Sequence, residues 1–177
     1  MKENMLSFLS ENTCRLHKEY LNTQKLRFSI LTKSEPRLLG LDVCEIRVAR
    51  AIPQDIREEA ITALSEIRAH ELYFNSFAPC GTRSPYVKEK YGSESSFLYS
   101  ILCDVKHFGE GFCFIVKHGG DIFAKNTKFP AEIYMNMKTT PLLCVDLYEH
   151  AYFCDYGFEK EEYLAAALSH LDLSKLF

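Results

Sequence analysis

The stretch Asp146-Leu147-Tyr148-Glu149-His150-Ala151-Tyr152-Phe153 decides the reading of this chain. Asp146 ends a short apolar run, residues 142–145, whose length suits a strand. His150 stands four residues further on, in the helical turn that follows, so the two side chains can face one point. Upstream, His70 arrives on a separate long helix. Two imidazoles and a carboxylate with an open position are the ligand set that suits non-haem Fe(II), and Mn or Zn could also occupy it. Taken singly, each residue reads as well as a hydrogen-bonded core histidine or a surface pair. Only the combination points to a metal.

The same pattern reading extends outward along the chain. Ser10, ahead of Glu11-Asn12-Thr13, can cap a helix by accepting a free N–H of its first turn. Leu16, Tyr20, Leu21, Phe28 and Leu31 carry that helix until the pattern weakens near 34–36, and a loop or short irregular helix follows Gly40. Pro53 suits the first turn of a second long helix, with Asp55, Glu58 and Glu59 near its positive end. Its apolar stripe is Ile56, Ala60, Ala63, Leu64, Ile67, Phe74 and Phe77, and Pro79 and Gly81 close it. Residues 83–86 read as a loop and 96–108 as a third helix. Residues 112–116 form a strand, His118-Gly119-Gly120-Asp121 a turn and 122–124 the returning strand. Helical regions are predicted at 148–156 and 161–171. The fold class is therefore α+β. A long N-terminal helical hairpin occupies 1–82, and an α/β domain over 83–177 holds a small three-stranded antiparallel sheet flanked by helices.

Composition narrows the function classes. The 177 residues are 47% hydrophobic and 25% charged, ample for a core. A net charge of -3, from 21 basic and 24 acidic side chains, gives no support to nucleic-acid binding. Seven cysteines are an odd number with no C-x-x-C pair, which argues against a disulfide framework and for a reducing compartment. Lys2 and Glu3 precede only a short apolar patch with no small-residue cleavage site, and no apolar run is long enough to span a bilayer. Neither a signal peptide nor membrane insertion is expected, and the cytoplasm is the expected location. Ten Tyr and thirteen Phe stand against no Trp.

Three stretches together resemble the iron/manganese superoxide dismutases. Residues 146–153 are similar to that family's Asp-x-Trp-Glu-His-Ala-Tyr-Tyr. Phe108-Gly109-Glu110-Gly111-Phe112 is similar to its Phe-Gly-Ser-Gly-Trp. His70-Glu71-Leu72-Tyr73-Phe74-Asn75-Ser76-Phe77-Ala78-Pro79 is similar to its His-x-x-Phe/Tyr-Trp-x-x-Leu-x-Pro. They come in family order at family-like separations, over about 53–171. The resemblance implies a divergent, shortened member holding one Fe or Mn ion per chain, with superoxide as substrate and dioxygen and hydrogen peroxide as products. Another oxygen- or peroxide-handling metalloenzyme, or an inactive metal-binding or interaction protein, would also fit the fold.

The resemblance further implies a first-helix histidine beside His70, Asp146 and His150. Two registers exist. Leu9-Ser10…Thr13…His17 matches the family's helix start and makes His17 the ligand. Alternatively, His17-Lys18-Glu19-Tyr20-Leu21-Asn22 matches a later His-x-x-Tyr-Val-Asn stretch, which puts Asn12 at the ligand position. We prefer the first, because it keeps the distance from cap to ligand and an amide replaces an imidazole poorly. Lys25 then takes the position of the family's active-site tyrosine, a role Tyr20 could fill from one turn beyond His17. The family's glutamine, hydrogen-bonded to solvent at the metal, is matched by Glu66 in the iron-type arrangement and by Thr127 in the manganese-type one. Phe74, Phe112 and Tyr148 replace family tryptophans. Phe153 replaces a tyrosine whose first-helix histidine partner is also gone, its position being Leu21 or, in the other register, Leu16. Glu149 implies a homodimer, in which it reaches the partner's copy of the metal-ligand histidine.

Overall fold

The first helix starts where its cap predicts. In the computed structural model, which describes residues 6–177, Ser10 Oγ accepts the Thr13 N–H at 3.2 Å and α1 runs Glu11–Ser34. Lys2 and Glu3, on which the leader reading rests, lie outside the described residues. A 3-10 turn, Pro36–Leu38, leads to α2, Val43–Val48, which Asp42 and Glu45 cap reciprocally. Pro53 is the cap residue of α3, Gln54–Asn75, one place ahead of the helix. Leu31, Leu38, Val43, Ile46, Ile52, Ala60, Ala63 and Leu64 form a small core of their own between these helices.

α3 stops earlier than Pro79 and Gly81 suggest. Ser76 Oγ donates to Leu72 O and accepts the Cys144 N–H, both at 2.7 Å. Phe77 then pairs with Leu171 in an antiparallel bridge, so the chain past Asn75 is drawn out of the helix by pairing with the C-terminal segment. The expected loop at 83–86 is partly helical. Ser84 accepts the Val87 N–H and Pro85 fills the first helical position of α4, Pro85–Tyr91. α5, Glu94–Val105, starts ahead of its predicted span because Ser93 caps it, and it stops short of the predicted end.

The sheet has β1 Phe112–His118, β2 Asp121–Thr127 and β3 Thr139–Asp146 in the order β2-β1-β3, all antiparallel. α6, Ala131–Tyr134, lies between β2 and β3 and is too short for periodicity to reveal. Gly111 explains the glycine-rich entry to β1. Its φ is +134°, and a Cβ there would meet Thr127 O at 2.4 Å, so a side chain would be excluded on both counts. Its carbonyl accepts the Leu147 N–H at 2.8 Å, which holds the residue after Asp146. Beyond β3 come a 3-10 turn, Glu149–Ala151, then α7, Phe153–Tyr156, and α8, Lys160–Ser169. Tyr148 and Leu171 therefore fall outside the helices predicted for them.

The main core gathers Ala69 and Tyr73 of α3, Phe97 and Ile101 of α5, the apolar residues of β1 and β3, and Tyr163 and Leu164 of α8. It draws on residues from both sides of position 82. Leu16, part of the apolar pattern of α1, is 37% exposed, because the helix turns Cys14, His17 and Leu21 inward. Among the described residues no helix is long and apolar enough to cross a membrane. All seven cysteines are free.

Candidate metal centre

Four elements each deliver one side chain to a single point. His17 comes from α1, His70 from α3, Asp146 from the end of β3 and His150 from the 3-10 turn. One donor atom from each lies within 4.8 Å of the others. Asp146 Oδ2 is the centre: His17 Nε2 is 3.0 Å away, His150 Nε2 3.1 Å and His70 Nε2 3.5 Å. The His70 and His150 Nε2 atoms are 3.3 Å apart. Asp146 Oδ1 accepts the Tyr148 N–H at 2.9 Å, which leaves Oδ2 to the histidines.

The protonation chemistry shows whether an ion fits. His70 Nδ1 donates to Glu66 O at 2.7 Å, and burial pulls its imidazole down to about 4, so at neutral pH the ring is uncharged. Its Nε2 then presents a lone pair towards a carboxylate oxygen. Two acceptors facing each other are unfavourable unless a cation lies between them. Burial lowers the affinity of His150 for a proton, but the Asp146 carboxylate and Glu66 outweigh it and leave the group raised. Burial alone would raise Asp146, yet its bonds to His150 and His17 hold it far below the usual carboxylate range. A metal ion would take the place of the proton on His150. Bonds of about 2.0–2.2 Å set neighbouring ligand atoms about 3.0–3.5 Å apart, the spacing found around Oδ2. The cluster is compatible with a mononuclear Fe or Mn ion.

Of the two registers, this geometry has His17 inside the cluster, fully buried against the end of β3. Asn12 is exposed and accepts from Arg15 at 3.0 Å. Lys25 pairs with Glu71 at 2.9 Å, whereas the Tyr20 ring stacks on His150 at 4.4 Å and lies 5.1 Å from His70. Phe74 is 5.0 Å from His17, Phe112 is 5.4 Å from His70 and Tyr148 is 5.6 Å from His150, ring to ring, so all three replacements line the cluster. Glu66 Oε2 lies 3.7 Å from His70 Nδ1. Burial and the Asp146 charge, partly offset by His150, push its carboxyl up to about 7. Thr127 spends its hydroxyl on Phe129 O and Glu132 Oε2 and makes no hydrogen bond to the histidines. Phe153 is 43% exposed and packs edge-on against Phe158. Glu149 is exposed beside His150.

Sequence reasoning missed one part of the site. The Tyr163 hydroxyl, from α8, donates to the backbone carbonyl of Asp146 at 2.7 Å. Its position on an apolar helix face reads only as core, and no local spacing connects it to Asp146.

Comparison with known proteins identifies the family. Residues 81–176 match the family described as iron/manganese superoxide dismutases, C-terminal domain. The chain belongs to the iron/manganese superoxide dismutase family. It is 32% identical over 108 residues to the iron superoxide dismutase of Pseudoalteromonas translucida, a match covering 56% of each chain. It is 30% identical over 109 residues to that of Synechocystis sp., covering 58% of this chain and 54% of the relative. Against the Escherichia coli iron enzyme the identity is 29% over 107 residues, covering 56% and 55%. The chain thus spans about half the length of the curated relatives it matches. Asp146 and His150 fall within 81–176, whereas His17 and His70 lie before it, so their part in the cluster rests on geometry.

Proposed function

We propose that the chain holds one Fe or Mn ion through His17, His70, Asp146 and His150 and dismutates superoxide to dioxygen and hydrogen peroxide. The convergence of three imidazoles on one oxygen of a fully buried carboxylate carries this reading. Bound there, the ion would supply one-electron chemistry, taking an electron from one superoxide and giving it to another. The residues have the remaining tasks. His70, kept neutral, offers Nε2 as a donor and is oriented by its bond to the Glu66 carbonyl. Two protons are consumed for each peroxide formed. Tyr20 and Glu66 are the proton-bearing side chains that flank the histidines, and burial followed by neighbouring negative charge raises both. Glu66 in place of a glutamine is the main departure. An ionised carboxylate there would favour the more oxidised ion and oppose the half-reaction that reduces it. Dismutation is therefore expected to be slower than in a family member that has the amide. Seven free cysteines favour a reducing compartment, which fits a cytoplasmic enzyme.

The test is elemental analysis of protein purified without added metal, paired with a dismutase assay of the same sample. Stoichiometric Fe or Mn with superoxide turnover is the expected result, and Asp146→Ala should abolish both. A mutant that keeps stoichiometric metal would sink the ligand assignment. Metal without turnover would move the protein to other oxygen or peroxide chemistry. A wild type with neither would leave a binding or interaction protein on this fold.

A further inference from the structure

Tyr163 and Tyr73 are fully buried and lie on different helices, yet their hydroxyl oxygens are 3.3 Å apart beside the cluster. Tyr163 Oη is also 2.7 Å from the backbone carbonyl of Asp146. One hydroxyl proton cannot serve both neighbours equally. The carbonyl can only accept, and it is the nearer, so it takes the Tyr163 proton, with Tyr73 Oη the weaker acceptor of the same O–H at 3.3 Å. The Tyr73 ring in turn packs on His17 with centroids 4.8 Å apart, and Tyr73 stands three residues after His70 on α3.

We propose that Tyr163 is a positioning residue that orients the Asp146 carboxylate and, through its contact with Tyr73, whose ring packs on His17, that imidazole as well. The carbonyl and the carboxylate belong to one residue. A hydrogen bond that fixes the carbonyl therefore restricts the direction of the side chain leaving the same Cα. The Tyr148 N–H then holds Oδ1, so Oδ2 is presented to the three imidazoles in one orientation. This deepens the proposed metal centre and rests on it for its functional meaning. The hydrogen-bond arrangement itself needs no metal.

The test compares Tyr163→Phe with Tyr156→Phe. Tyr156 makes the same kind of bond, Oη to Phe8 O at 2.6 Å, and its ring packs 5.7 Å from that of Tyr163 while its hydroxyl bonds to none of the four cluster residues, so its loss controls for a general loss of local packing and stability. Two quantities are read: hydrogen exchange of the Tyr148 amide in metal-free protein, and affinity for Fe(II) and Mn(II) in competition with a chelator. Y163F is expected to speed exchange at Tyr148 and to weaken metal binding by about tenfold, while Y156F changes neither. An unchanged Tyr148 amide in Y163F, or the same change in Y156F, would overturn the proposal whatever the metal does. Should the wild type bind neither metal, faster exchange in Y163F would still sustain the positioning role while the metal reading failed. Should Y163F not fold, Tyr73→Phe removes the weaker acceptor and leaves the Tyr163 proton to the Asp146 carbonyl alone, so exchange at Tyr148 is expected to slow, and unchanged or faster exchange would overturn the proposal.

Discussion

At the scale of single residues, the site turns on which side of α1 faces the end of β3. Asn12 and His17 are five positions apart, which at 3.6 residues per turn separates their directions by about 140°. Only one of them can meet Asp146. His17 is buried at 3.0 Å from Oδ2 while Asn12 bonds to Arg15 in solvent. His17→Ala should therefore lose bound metal, or show a changed metal spectrum, with Asn12→Ala indistinguishable from wild type. The opposite pattern would establish the other register. Glu66 is the second residue on which the chemistry depends. It is buried beside His70, and the Asp146 charge opposes its ionisation. A carboxamide would remove that negative charge and add an N–H donor, so metal-loaded Glu66→Gln should dismutate faster, by on the order of tenfold. Equal or slower turnover would show that Glu66 does not tune the site.

At the scale of elements, α1 must be held at its N-terminal end for His17 to stay in place. Ser10 does this twice: Oγ caps Thr13, and the Ser10 N–H donates to Asp155 Oδ2 at 2.7 Å, which ties α1 to α7. Ser10→Ala should lower stability in urea unfolding by about 1 kcal/mol. Burial raises the Asp155 carboxyl, but its bonds from Ser10 and Thr13 outweigh that and leave it below the ordinary value. A depressed acid stabilises the fold above its unfolded pKa, about 3.9, and the contribution is lost as pH falls through the folded value. The stability gap between wild type and Asp155→Ala should then be present at neutral pH and close in acid, below about pH 4. A gap that does not change with pH would show that the bond contributes nothing through the ionised carboxylate.

At the scale of the whole molecule, the cluster lies where α1 and α3 meet the end of β3. His70 sits on α3 between Leu64 of the smaller core and Tyr73 of the main one, and Asp146 and His150 come from the end of β3 and the turn after it. Bringing them together means burying two imidazoles and a carboxylate completely, and their mutual bonds offset that cost. The His150 side chain keeps 29% exposure, and Glu149 next to it is exposed. If a second copy covers this face, as the family resemblance implies, sedimentation at micromolar protein should give a dimer that Glu149→Ala weakens. A monomeric wild type would refute it.

The sequence by itself determined the elements and the chemistry available to them. The cap at Ser10, the α3 stripe and the apolar β1 run are local signals, because helix and strand periodicity depend only on near neighbours. The Asp146–His150 spacing is equally local. Only the tertiary structure decided what depends on contacts between distant segments. Asn75, and not Pro79, ends α3, because Ser76 and Phe77 bond to β3 and the C-terminal segment. Tyr20, and not Lys25, lies against His150, because the rotation of α1 is set by packing on α3 and β3. The bond from Tyr163 to the Asp146 carbonyl joins residues 17 positions apart on a helix and a strand end. No periodicity within either element records such a contact, since it exists only once both are packed.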